Sequence, residues 1–155
     1  MRGKSATARA VAPDSKFGNV QVAKFINYIM KDGKKTVAQN VVYTAFEIIS
    51  QKTKSDPVEI FENAIKNTSP SLEVKSKRVG GANYQIPMPV RGERRLALSF
   101  RWLIEAARGK KGRPMSQKLA DELAAAAKGE GDAVKKKADV QRMAEANKAF
   151  DHFAK

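Results

Sequence analysis

The residues that stand close enough together in this sequence to do chemistry are cations. Lys34 and Lys35 are adjacent, and Lys75, Lys77 and Arg78 crowd one short stretch. Arg91, Arg94 and Arg95 follow, then Arg108, Lys110, Lys111 and Arg113, and finally the run Lys135, Lys136, Lys137. The chemistry open to such groups is phosphate neutralisation. An arginine fork matches two phosphate oxygens at once, and a lysine acts as a mobile point charge. Lys34 and Lys35 open one predicted helix and Lys135 to Lys137 fall in the first turns of another. Cations there oppose the positive end of the helix dipole. The placement makes sense where an anion binds the same helix start. Plain surface lysine explains any one of these groups; the two helix starts together with the 75–78 cluster favour binding. The basic N-terminal stretch adds Arg2, Lys4 and Arg9.

Other chemistries lack their parts. His152 is the sole histidine and lies almost at the C-terminus, and cysteine is absent. No Ser–His–Asp or Cys–His set assembles, and a histidine-rich or thiolate metal site is impossible. Gly80-Gly81 lacks the phosphate-loop spacing that ends in Gly-Lys-Ser/Thr. An enzyme is not expected, nor a metal or cofactor.

Composition points the same way. The chain has 155 residues, one domain's worth, with 30 lysines and arginines against 16 acids, a net charge of +14. Such self-repulsion is relieved by a polyanion, with nucleic acid ahead of an anionic membrane surface. The charge is clustered. Residues 1–35 hold eight cations against two acids, and residues 71–113 hold eleven against three, whereas residues 36–70 are slightly acidic. No apolar run reaches the length of a membrane span. The opening "MRGKSATARAVAP" has no apolar middle and reads as a basic arm over residues 1–16, in preference to an organelle transit peptide of similar composition.

The elements that must hold these cations are mostly helical. Val22, Phe25, Ile26, Ile29 and Met30 form one apolar stripe over Asn19 to Lys31, ended by Asp32-Gly33. A second helix is predicted over Lys35 to Lys52, with Thr36 and Gln39 as a capping box and Val37, Val41, Val42, Ala45, Ile48 and Ile49 buried. "SDPVEIFENAIKN" starts a third, with Asp56 as N-cap, Pro57 at the first position and Glu59 completing the box. Three more helices are predicted: Arg94 to Arg108, Ser116 to Lys128, and one from Asp132 to about Phe150. Between the third and fourth lies an antiparallel two-stranded ribbon at about 72–90. A three-residue loop, Val79-Gly80-Gly81, would put Leu72, Val74 and Ser76 on one face with Tyr84, Ile86 and Met88. Pro87 and Pro89 both remove N–H groups from one edge of the ribbon, which closes it to further strands. Lys75, Lys77 and Arg78 can then face a sugar–phosphate backbone while Tyr84 braces the ribbon or touches a base. The expected architecture is mainly α: one six-helix domain over 17–155 with a projecting β-ribbon.

The stretches "KFGNVQVAKFINYIMKDGKK", "LEVKSKRVGGANYQIPMPVRGERRLALSFRWLIEAARGKKGRPM" and "DAVKKKADVQRMAEANKAF", in this order, resemble the bacterial small-subunit ribosomal protein S-seven family. The resemblance runs from about residue 13 to the end. It implies six helices with a ribbon between the third and fourth. It implies primary binding to the 3′ major domain of small-subunit rRNA, nucleation of head assembly, and a place near exit-site tRNA and mRNA on the cytoplasmic ribosome. Neighbouring small-subunit ribosomal proteins are implied partners; a membrane or a homo-oligomer is not expected. Departures are Ser15 where proline is common, Ala82-Asn83 where small hydroxyl residues are usual, and a less basic end, Asp151 to Lys155. The rival reading is a DNA-binding architectural protein, whose ribbon would carry an apolar wedge at its tip; here the tip is Gly80-Gly81-Ala82. An RNA-modifying enzyme would need the catalytic set that is missing.

Overall fold

The computed structural model describes residues 3–154. Six α-helices and a ribbon follow in order: α1 Val20–Ile29, α2 Lys35–Thr53, α3 Pro57–Thr68, β1 Leu72–Val79, β2 Ala82–Pro89, α4 Gly92–Gly109, α5 Met115–Ala127 and α6 Asp132–Ala146, closed by a short 3-10 helix, Lys148–Ala154. The ribbon lies between α3 and α4, as the sequence predicts. Residues 3–14 form no helix or strand.

Local chemistry explains the helix starts. Asn19 caps α1 by accepting from Gln21 N and Val22 N at 2.7 and 3.3 Å. Asp56 caps α3 through Val58 N at 3.0 Å, with Pro57 first in the helix. Such caps are worth about 1 kcal/mol each. The predicted capping box of α2 does not form. Lys34 is the cap residue and makes no side-chain cap bond, so Thr36 already lies inside the helix. The buried face of α2 is correspondingly rotated: Ala38, Val42, Ala45, Phe46 and Ile49 face the core, and Val37 is 56% exposed.

The core is built on four phenylalanines, one from each of the first four helices. Phe25, Phe46, Phe61 and Phe100 are fully buried. Phe25 and Phe61 lie 5.1 Å apart, as do Phe25 and Phe100, with Phe46 5.5 Å from Phe61. Truncating any of them to alanine would cost roughly 3–5 kcal/mol. Leu119 and Leu123 bring α5 into the same core. The Asn67 amide donates to the carbonyls of Ala126 and Ala127 at 2.9 and 3.0 Å, closing the end of α5. Thr68 and Ser99 pair their buried hydroxyls at 2.5 Å, joining α3 to α4.

The ribbon differs from the prediction by one residue of register. Val79 pairs with Ala82, so the turn is the two residues Gly80-Gly81 and not three. Both glycines have positive φ, 58° and 90°, the geometry of a tight hairpin turn that matches strand twist. One residue less in the loop moves every cross-strand partner to the other face. Lys75 stands opposite Ile86 and Lys77 opposite Tyr84, while Val74 stands opposite Pro87 and Leu72 opposite Pro89. Val90 N donates to Ser71 O at 2.9 Å, so by alternation the backbone nitrogens of Pro87 and Pro89 point to the outer edge.

The end of the chain also differs. α6 stops at Ala146, and Phe150 belongs to the 3-10 helix, which folds onto β2. Tyr84 meets Phe150 and Phe153 with ring centroids 4.9 and 5.7 Å apart, and Lys77 Nζ donates to Phe153 O at 2.8 Å. Tyr84 therefore braces the ribbon.

Candidate nucleic-acid interface

The turn between α1 and α2 gathers three exposed lysines around one acid, Asp32. After Ile29, Asp32 and Gly33 take positive φ, 54° and 70°, and reverse the chain so that α2 begins at Lys35. Lys31, Lys34 and Lys35 are exposed there, with no ion-pair or hydrogen-bond partner for their ammonium groups among the described residues. Two depressions flank the turn. One brings Lys31 and Lys34 together with Arg108 from the end of α4. The other brings Lys35 together with Arg9 and the segment up to Ser15. Arg9, Lys34, Lys35 and Arg108, separated by up to a hundred residues in sequence, thus border neighbouring hollows. Lys31 belongs with them, and sequence reading did not single it out; its position in the last residues before the Asp32-Gly33 stop is the signal that could have.

The segment that leads to this face is fastened at Asp14. Its buried carboxylate accepts from the backbone N–H groups of Lys16 and Phe17, both at 3.0 Å, and from the Tyr43 hydroxyl at 2.6 Å. Burial, and then this bond to Asp14, raise the Tyr43 pKa above the ordinary phenol value, so the hydroxyl stays a donor.

The cations at and after the end of α4 are mostly engaged inside the molecule. Arg108 donates one N–H to Ile29 O at 3.2 Å. Lys110 meets the fully buried Glu122 at 2.8 Å as an ion pair without the alignment of a hydrogen bond. The other oxygen of Glu122 accepts from Ala133 N at 3.0 Å, capping α6. Arg113 shares Asp121 with Lys52, at 3.1 and 2.7 Å. The hydrogen bond from Lys52 is the largest influence on Asp121, and with the nearby positive charges it holds that carboxyl below its usual pKa against the opposing effect of burial. Lys111 is exposed and unengaged among the described residues. Sequence reading missed Glu122 and Asp121, because their partners lie on other elements: Lys110 and Arg113 between α4 and α5, Ala133 in α6 and Lys52 in α2.

On the ribbon, one acid serves two cations. Glu73 takes Lys75 at 3.3 Å and Arg94 at 3.1 Å. Arg78, beside the tip, and Arg91 and Arg95, at the start of α4, are exposed without such partners among the described residues, as is Lys4. Lys137 turns inward to donate to Asn67 O at 2.9 Å, and Lys135 and Lys136 remain exposed. Lys136 borders a shallow hollow with Trp102, Glu105 and Asp132, so its surroundings are of mixed charge. Arg2 lies outside the described residues. Among those residues, no group of histidines and acids is arranged to hold a metal ion.

The family model for "Ribosomal protein S7p/S5e" matches residues 1–148 of this chain. The chain belongs to that family. "Small ribosomal subunit protein uS7" of Thermotoga maritima is 56% identical over 153 residues, 99% of each chain. The protein of that name from Polynucleobacter necessarius is 55% identical, and that from Herminiimonas arsenicoxydans 56%, each over 152 residues, 98% of this chain and 97% of the relative. Membership makes this chain a structural constituent of the small ribosomal subunit and not an enzyme. As a bacterial member it belongs to the cytoplasmic ribosome, among ribosomal RNA and other ribosomal proteins. No described helix is long and apolar enough to cross a membrane.

Proposed function

We propose that this protein is a primary rRNA-binding protein that nucleates assembly of the small-subunit head on the 3′ major domain, with its ribbon near exit-site tRNA and mRNA. The N-terminal arm, residues 1–16, and the single helical domain after it act together. The observation that carries the reading is the convergence of Arg9, Lys31, Lys34, Lys35 and Arg108 around one turn, with so few acids to compensate them. Folded RNA is gripped through phosphates and 2′-hydroxyls on a shaped surface, which suits such a face. Arg2 and Lys4 add cationic charge from the arm. Arg78, Arg91, Arg95, Lys111, Lys135 and Lys136 supply further phosphate contacts. Lys75, Lys77, Arg94, Lys110, Arg113 and Lys137 contribute charge from positions already fixed by internal partners, and Tyr84 holds the ribbon in shape. The protein works as a single copy.

Salt dependence tests this. Neutralising about 6–10 phosphates predicts a loss of roughly a thousandfold or more in affinity for a 3′ major domain RNA fragment between 50 and 200 mM salt. Equal affinity for duplex DNA at fixed salt would favour the architectural reading, against which the wedge-free Gly80-Gly81 tip already speaks. Replacing Lys75, Lys77 and Arg78 by alanine should flatten the slope, with Arg78 dominant because it has no internal partner among the described residues. An unchanged slope would remove the ribbon from the interface.

A further inference from the structure

Beside the α1–α2 turn lies a groove of about 530 Å³ whose floor is apolar and whose rim is basic. Its size falls within the range of small-molecule sites, roughly 300–1,000 Å³. Val37, Val41 and Met115 form the floor with the end of α1, and Lys31, Lys34 and Arg108 stand on the rim. Val37 is 56% exposed, the most exposed large hydrophobic residue among those described. Val37, in α2, stands about one turn after Lys34, so the uncovered apolar surface directly adjoins the cations.

We propose that this groove receives one unpaired nucleotide of the ribosomal RNA, base inward against Val37, Val41 and Met115, with its flanking phosphates on Lys34 and Arg108. This deepens the rRNA-binding reading and rests on it. Charge complementarity selects the occupant: three cations and one carboxylate surround an apolar floor, the pattern of a flat apolar ring carried on an anionic chain. Arg108 is set for the task. One of its N–H groups is fixed on Ile29 O at 3.2 Å, which leaves four donors on an oriented fork above the groove. RNA loops and bulges present such splayed bases, and single-stranded segments are where proteins read RNA sequence. Asp32, the carboxylate on the rim, accepts from an exocyclic amino group and so favours adenine, cytosine or guanine over uracil.

The test uses the full chain with a 3′ major domain RNA fragment. Val37→Ser removes the apolar contact at an exposed position without changing charge. The expected affinity is about fivefold weaker, from the loss of an apolar contact worth about 1 kcal/mol, with an unchanged salt slope. At saturating protein, one base shielded by the native chain becomes reactive to dimethyl sulfate in the Val37→Ser complex, while backbone protection from hydroxyl radicals persists. Lys34→Ala and Arg108→Ala flatten the slope instead. A Val37→Ser complex with native affinity and native base protection overturns the proposal. So does an effect that appears only when other small-subunit proteins are present, which would give the groove to a protein partner. Failure of the native chain to bind the fragment at all would instead overturn the rRNA-binding reading beneath it.

Discussion

Glu122 offers the sharpest stability test, because its two oxygens do different work. The carboxylate is fully buried, with Lys110 on one oxygen and the start of α6 on the other. Removing the cation by Lys110→Met strands a charge in the interior. Breaking a buried pair in this way costs about 3–5 kcal/mol. Lys110 is itself 36% exposed, so its ammonium keeps part of its hydration and the low end of that range, about 3 kcal/mol, is expected. Glu122→Gln keeps the volume and an acceptor for Ala133 N and removes the buried charge, so it should cost about 1 kcal/mol. The double variant should resemble Glu122→Gln alone, since the amide needs no counter-ion. Trp102, the sole tryptophan and 8% exposed, reports the transition in urea, and the denaturant slope should not change. If Lys110→Met costs no more than Glu122→Gln, the ammonium does not hold the carboxylate and the account of this site is wrong. Gly131→Ala probes the same place sterically. Its Cβ would lie 2.9 Å from the capping oxygen at a φ of +96°, so a loss of more than about 1 kcal/mol is expected.

Two further outcomes follow from named contacts. Asp121 has a pKa below its usual 3.8, first because Lys52 donates to it, so its contribution to stability is present above that value and disappears as pH falls through the depressed folded one; Asp121→Asn should therefore destabilise near neutral pH and converge with the native chain in acid, and a pH-independent difference in urea midpoints would contradict this. Replacing Phe150 and Phe153 together by alanine removes two ring contacts to Tyr84, each worth about 0.5–1.5 kcal/mol, so ribbon amides should exchange roughly tenfold faster or more while those of α3 and α4 do not change; unaltered ribbon exchange would show that the chain end does not steady it.

What sequence reading recovered was local. Asp56-Pro57 announces α3 because cap and first turn lie within three residues, and the stripe from Val22 to Met30 admits one buried face. The predicted face of α2 shares Val42, Ala45 and Ile49 with the observed one, and packing against Phe61 and α5 turned it so that Phe46 faces inward and Val37 outward. The ribbon's existence was legible from its prolines and glycines, but a loop of two or three residues suits Gly80-Gly81 equally well in sequence, and that single residue decides every cross-strand pair. The basic clusters were visible as composition. Which of them were already committed, Lys110 to Glu122 or Arg113 to Asp121, depended on how the chain folds back in space, here the α4–α5 connection onto α5. The folding of Phe150 and Phe153 onto Tyr84 was beyond reach for the same reason.

The two prolines on the outer strand bear on the life of the protein before it meets RNA. A cell that makes more of this chain than it has transcripts to place it on holds a surplus of highly cationic, unassembled copies. With Pro87 and Pro89 turned outward, that strand gives a second copy few backbone groups to stitch to. That edge of the finger therefore resists pairing through its own sequence, without a chaperone having to shield it.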